Sequence, residues 1–252
     1  MEIIAACHVH SNWSYDGSWP LESLAAKFSR RGCRVLMMTE HDRGFSASRL
    51  DQYRDACARV SSDKFLVLPG IEYSDSTNRT HVLVWGNIPF LGENLQTSEL
   101  LEAVRAANGV AVLAHPSRLD AWQLFEPRWG DVLLGIEAWN RKSDGWAPSR
   151  TAPALLNMTG AIPFAGMDFH TQRQSFPLTM ALHIDTEVTE ESVLQCLRSR
   201  QCSARAFGRP LTQDLFGRAL PAVNLIERGR RAAASVLRQL RSSHAKSTPS
   251  KS

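Results

Sequence analysis

The chain is short of several things, and each shortage excludes a class of protein. No apolar run approaches the roughly 20 residues that cross a bilayer, so no membrane partner is expected. The opening MEIIAACHVH has no basic segment and too short an apolar stretch for a secretory signal. Cysteine is sparse and odd in number: Cys7, Cys33, Cys57, Cys196 and Cys202 form no CxxC pair. Neither a disulfide framework nor a cysteine zinc knuckle is indicated, and reduced thiols in a cytoplasmic protein are the expectation. No repeat or low-complexity block precedes residue 225, and 43% hydrophobic content over 252 residues is enough for a sizeable core.

A large excess of basic charge is missing too. The net charge of +4 divides into +6 for residues 227–252 and −2 for the rest. The body of the chain therefore carries no basic composition that would favour nucleic acid. The expected division is a barrel-like domain over 1–224, then a basic amphipathic helix and a disordered polar tail over 225–252.

Apolar runs at 2–7, 34–39, 65–72, 81–86, 110–114, 133–140, 161–166 and 180–185 read as strands. Helical spacing with terminal signals falls at 20–31, 46–61, 97–109 and 189–200, the last opening on a Thr-x-x-Ser capping pattern. The alternation predicts an α/β fold with a mostly parallel sheet, closed as a barrel.

What the sequence has is histidine, placed at strand ends beside acids. His8 and His10 are spaced i, i+2, which in a strand puts both imidazoles on one face. Thr39-Glu40-His41-Asp42 follows the run RVLMM. Glu72 closes FLVLPGI, His81 opens HVLVW, His115 follows VAVLA, and Asp168 and His170 follow AIPFAGM. Asp16 lies in a Ser/Gly-rich loop. A single such histidine is usually structural, but strand C-termini of a barrel converge on one mouth. Six histidines with Asp16, Glu72 and Asp168 exceed what one ion takes and suit two or three divalent ions, Zn, Mn or Fe rather than Mg or Ca. Clustered ions of this kind point to phosphate-ester hydrolysis.

The motifs His8-Val9-His10 with Ser14-Tyr15-Asp16-Gly17, Thr39-Glu40-His41-Asp42, Pro69-Gly70-Ile71-Glu72 with His81, Ala114-His115-Pro116 and Asp168-Phe169-His170 resemble, in this order and spacing, the PHP (polymerase and histidinol phosphatase) family. The resemblance implies a distorted (β/α)7 TIM-like barrel with a trinuclear site at the C-terminal ends of the strands. It implies that His8, His10, Glu72 and Asp168 hold one metal. Glu72 would bridge to a second, held also by His81 and His115, and Asp16, His41 and His170 would hold a third. Glu72, Asp168 and His170 are accordingly the expected catalytic residues. The implied reaction is hydrolysis of a small phosphorylated metabolite or nucleotide by a metal-activated water. A nuclease of the same fold is a less favoured alternative, and a non-phosphate amidohydrolase less favoured still.

Arg118, Lys142 and Arg173, each a few residues past a strand end, are candidate phosphate contacts, and Asn140 a candidate contact to a sugar or leaving group. Trp13 and Trp19 flank Asp16 and could stack on a base, although packing is the simpler role. His183 reads as structural, and His244 lies in the polar tail.

Overall fold

The computed structural model describes residues 1–211, 225–230 and 232–234. The chain opens with β1 (Glu2–Val9), α1 (Leu21–Ser29), β2 (Val35–Met38), β3 (Glu40–His41) and α2 (Ala47–Val60). It continues through β4 (Leu66–Leu68), β5 (Gly70–Ser74), β6 (His81–Trp85), α3 (Thr97–Ala106) and β7 (Val110–Leu113). After two 3-10 turns, Arg118–Leu124 and Pro127–Asp131, come β8 (Gly135–Asn140), α4 (Ala152–Thr159) and β9 (Ile162–Gly166). A short 3-10 turn, Gln172–Gln174, then leads to β10 (Leu178–His183), α5 (Glu190–Arg198), β11 (Cys202–Ala206) and β12 (Arg209–Pro210). Residues 225–230 and 232–234 are helical, at the start of the predicted C-terminal helix; the predicted tail beyond lies outside the described residues.

The strands form two mixed six-stranded sheets, ordered β12-β11-β10-β1-β2-β4 and β3-β5-β6-β7-β8-β9. The expected mostly parallel sheet is corrected: β1–β10, β10–β11, β11–β12, β5–β6 and β6–β7 all pair antiparallel. Between β5 and β6 only residues 75–80 intervene, too few for a crossover helix, so these strands must form a hairpin. The 65–72 run is not one strand. Pro69 offers no N–H to the ladder and separates β4 from β5. Trp85 spans the neighbouring break between β2 and β3, its indole N–H donating to the Met38 carbonyl at 2.9 Å.

Backbone hydrogen bonds link the two sheets. Beyond β9, Met167 N–H donates to Cys7 O (3.2 Å), Phe169 N–H to His8 O (3.1 Å) and His10 N–H to Phe169 O (2.9 Å). Past β2, Thr39 N–H donates to Val9 O (3.0 Å), which extends the β1–β2 ladder up to the start of β3. The ends of β1, β3, β5 and β9 are thereby drawn together.

The core is apolar and continuous, with Trp85, Phe28, Phe164, Phe169 and Tyr53 its largest wholly buried side chains. Helix α1 turns Leu21, Leu24, Ala25 and Phe28 inward, and α5 turns Val193, Leu194 and Leu197. Helix α5 begins with the expected capping box between Thr189 and Ser192. All five cysteines are free thiols and four are buried. Among the described residues no helix is long and apolar enough to cross a membrane.

Candidate metal centre

The site begins where β1 stops being regular. His8 has a φ of 57°, and the register with β2 slips between Cys7 and Val9, so His8 occupies a bulge. His10 lies just past the last residue of the strand. The expectation that plain strand alternation aligns this pair is therefore corrected, yet the rings still meet, with centroids 5.3 Å apart. His115 (φ 25°) and Asp168 (φ 49°) are also left-handed. Such backbone costs a non-glycine residue on the order of 1–3 kcal/mol and persists where surrounding contacts enforce it. Here the enforcing contacts are the inter-sheet bonds at His8 and Phe169, together with the His115 N–H, which donates to Glu137 at 2.8 Å.

Glu72 sits at the centre, 1% exposed on a strand flanked by others. Its two oxygens divide the histidines. Oε1 lies 2.8 Å from His81 Nδ1 and 3.0 Å from His115 Nε2. Oε2 lies 3.4 Å from His8 Nε2, 3.3 Å from His10 Nε2 and 3.2 Å from His41 Nδ1. Asp168 Oδ1 approaches His8 Nε2 at 3.8 Å, His10 Nε2 at 3.6 Å and His170 Nδ1 at 3.2 Å. Asp16 closes the exposed side, 3.3 Å from His41 Nε2 and 3.0 Å from His170 Nε2. All nine residues singled out in the sequence are thus brought into one cluster.

Electrostatics follow from this crowding. Burial alone would raise the pKa of Glu72, but the neighbouring imidazoles, His8 and His81 foremost, hold it well below the usual carboxylate range. Asp168 is held low against its burial by His8 and Lys142, and Asp16 by His170 and His41. Burial lowers His10, reinforced by His41 and His170. His8 goes the other way: Glu137, Glu72 and Asp168 outweigh its burial and raise it.

The donors fit divalent ions. His8 Nε2, His10 Nε2 and Glu72 Oε2 are buried with no hydrogen-bond partner, which is rare for buried polar atoms. Three sets, His10–His41–His170, His8–Glu72–His115 and His8–His10–Asp168, each place donor atoms within 4.8 Å of one another.

Beneath these side chains lies a layer of buried acids. Glu137 accepts from His8 Nδ1–H, from the His115 backbone and from Asn140 Nδ2–H, each at 2.8 Å. Glu40 accepts from the backbone and hydroxyl of Ser11 and from the Ser14 hydroxyl, which folds the loop carrying Asp16. Asp42 accepts from Ser74. The sequence placed Glu40 and Asp42 in a polar cluster and Glu137 within an apolar strand run, without giving them these tasks. The signal was available for Glu137: an acid inside the apolar run LLGIEAW needs buried partners.

The substrate candidates separate. Lys142 Nζ lies 3.3 Å from Asp168 Oδ1 and 3.3 Å from His170 Nε2, at the cluster's edge. Arg118 Nη1 is 3.3 Å from His81 Nε2 and donates to Asn78 O at 2.6 Å. Asn140 is wholly buried between Glu137 and the Ser143 backbone, and Arg173 is exposed, offering its backbone carbonyl to Arg141. The ring exposed beside the site is Tyr15, stacked on His41 at 5.1 Å, whereas Trp13 packs on Tyr53 and Trp19 on Phe169.

Solved structures share this architecture. PsfC from Pseudomonas syringae PB-5123 superposes with a TM-score of 0.61, covering 92% of this chain and 99% of PsfC at 15% identity. The lesion-specific endonuclease EndoQ from Pyrococcus furiosus superposes with a TM-score of 0.53, covering 79% of this chain and 56% of the endonuclease at 17% identity. No protein-family model matches the chain, and no curated protein sequence matches it. At these identities the likeness is one of fold.

Proposed function

We propose that this chain is a metal-dependent phosphoesterase of the PHP type, acting on a small phosphorylated metabolite or nucleotide. The observation that carries the reading is the central Glu72, whose two oxygens face different histidines while Oε2 and the facing His8 and His10 nitrogens lack hydrogen-bond partners. A bridging carboxylate needs that arrangement. In this reading His8, His10, Glu72 and Asp168 hold one ion, Glu72, His81 and His115 a second, and Asp16, His41 and His170 a third. In this reading the two sheets, joined where the 167–169 backbone bonds to the end of β1, correspond to a distorted (β/α)7 barrel built from β1, β2 with β3, β4 with β5, β6, β7, β8 and β9.

Divalent ions held here would lower the pKa of a water and offset charge on phosphoryl oxygens. The chain's own groups do the rest. Lys142, at the cluster's edge and 40% exposed, binds a phosphoryl oxygen as a point charge. Arg118 adds a second cation on the opposite, His81 side. Glu72 and Asp168 remain ionised at neutral pH because the imidazoles hold their pKa values low, so they stay available as oxygen donors. Tyr15 offers an exposed aromatic face to a leaving group.

The test is hydrolysis of p-nitrophenyl phosphate, its bis ester and a nucleotide panel by protein reconstituted with Mn²⁺ or Zn²⁺. Turnover of one class is expected, and inertness toward every substrate with each ion would overturn the proposal. A second reading, oligonucleotide cleavage by the same centre, draws on the fold shared with the lesion-specific endonuclease. Release of nucleotides from single strands, without turnover of the small esters, would select it.

A further inference from the structure

We propose that Glu137 is a positioning residue that fixes which nitrogen of His8 faces the metal centre; the inference rests on the reading of the cluster just given. Glu137 is 1% exposed and sits in the interior of β8, where an unpaired carboxylate would be costly. Its two oxygens meet three donors and nothing else in the hydrogen-bond network of the described residues. Oε1 faces His8 Nδ1 at 2.8 Å, while Oε2 accepts from the His115 backbone and from Asn140 Nδ2, both at 2.8 Å.

A carboxylate only accepts, so the His8 Nδ1 that faces Glu137 carries a proton, whichever ion is bound at Nε2. That leaves Nε2, the buried atom without a hydrogen-bond partner, turned toward Glu72 and Asp168. The same carboxylate holds the backbone of His115, whose left-handed conformation needs an anchor. His81 is fixed in the opposite sense. Its Nε2 lies 2.8 Å from Asn78 Oδ1, so Nδ1 faces Glu72.

The fold reserves space for this group. A Cβ on Gly166, in the adjacent β9, would fall 1.8 Å from Glu137 Oε1 and 3.0 Å from His8 Cβ. Asn140 is itself locked, its backbone N–H donating to Asp144 at 2.8 Å and its Oδ1 accepting from Ser143 N–H at 2.9 Å. Its amide must therefore present hydrogens to Glu137.

Glutamine cannot replace this carboxylate. With its oxygen at the Oε2 position, its NH₂ faces His8 and forces Nδ1 to accept, which moves the imidazole proton onto Nε2 and blocks that donor. With its oxygen at the Oε1 position, its NH₂ meets the His115 N–H and the Asn140 amide, two buried donors left unpaired. Either arrangement weakens ion binding, and loss of such a supporting group typically lowers metal affinity about 10–100-fold.

The experiment is calorimetric titration of Zn²⁺ and Mn²⁺ into wild type and Glu137→Gln, with thermal melts of both without metal. The expected result is a loss of affinity of about 10–100-fold for at least one equivalent in the variant. Wild type and variant binding equally tightly overturns the inference alone; wild type binding neither ion overturns the reading of the site on which it rests. If Glu137→Gln does not fold, ¹⁵N-histidine NMR of Zn²⁺-loaded wild type decides. A hydrogen-bonded proton on His8 Nδ1 is expected, and a His8 ring protonated on Nε2 with Nδ1 bare overturns the inference.

Discussion

Lys142 and Asp144 sit two residues apart after β8 and illustrate how much a single side chain's surroundings decide. Lys142 stands at the mouth, its ammonium 3.3 Å from Asp168. In the proposed role it meets substrate charge rather than an ion. Lys142→Ala is expected to lower kcat/KM for a phosphate ester by roughly 10–100-fold, about the worth of one charged contact, with metal stoichiometry unchanged. Steady-state kinetics beside metal analysis would check this. Asp144 is buried beneath the loop, accepting from Ser117 and from the Asn140 backbone, and burial pushes its carboxyl up to about 7. The folded state thus keeps a proton that the unfolded chain releases above its ordinary value of 3.8. That contribution to stability is present below pH 4 and falls as pH rises from about 4 through 7. Asp144→Asn should remove this dependence, so urea melts at pH 5, 6 and 8 should show the variant gaining on wild type as pH rises. Parallel curves would contradict the assignment. The acids and histidines of the mouth could be read in the sequence because polar residues ending apolar runs need an explanation. Asp144 and Glu137 could not be placed, since their partners Ser117, His115 and His8 are remote in the chain.

At the scale of elements, strands β1, β6, β7 and β9 and helices α2 and α5 fall close to where hydrophobic periodicity and end signals put them. Periodicity reports burial, so it finds the strands but not their direction. Neither the antiparallel returns of β6, β10 and β11 nor the short β11 and β12 were visible, because partner choice is a tertiary matter. Nor could alternation reveal that His8 lies in a bulge. These irregularities build the site: left-handed His8, His115 and Asp168 turn three strand ends inward, and glycine in β9 leaves room for Glu137. Gly166→Ala tests this packing. Its methyl meets a buried carboxylate and the His8 side chain, so a loss of about 1–3 kcal/mol from overpacking is expected, together with weaker Zn²⁺ binding. Denaturant melts and metal titration would measure both, and an unperturbed variant would show that the carboxylate has another place to go.

For the molecule as a whole, the charge arithmetic separates a slightly acidic body from a basic C-terminal segment. Among its described residues, Glu227 accepts from the Trp146 N–H and pairs with Arg230, whose guanidinium lies over the Trp146 ring. In the proposed role, attraction for an anionic substrate would arise at the mouth, from Lys142, Arg118 and the ions held there, rather than from the overall charge. Deleting residues 235–252 should leave small-ester hydrolysis within about twofold while removing any steeply salt-dependent retention of single-stranded oligonucleotide, since four of the chain's basic residues go with it. A filter-binding salt series with both proteins distinguishes the two effects, and retention that survives the deletion would assign it to the body.

In the proposed reading, nine side chains from strand ends and the loop after β1 form one metal centre. Anomalous diffraction from crystals soaked in Mn²⁺ or Zn²⁺ tests it most directly. Two or three strong peaks enclosed by Glu72, Asp168, Asp16 and the six histidines are expected. Soaked crystals with no peak inside that cluster, or with ions bound only elsewhere on the molecule, would contradict it.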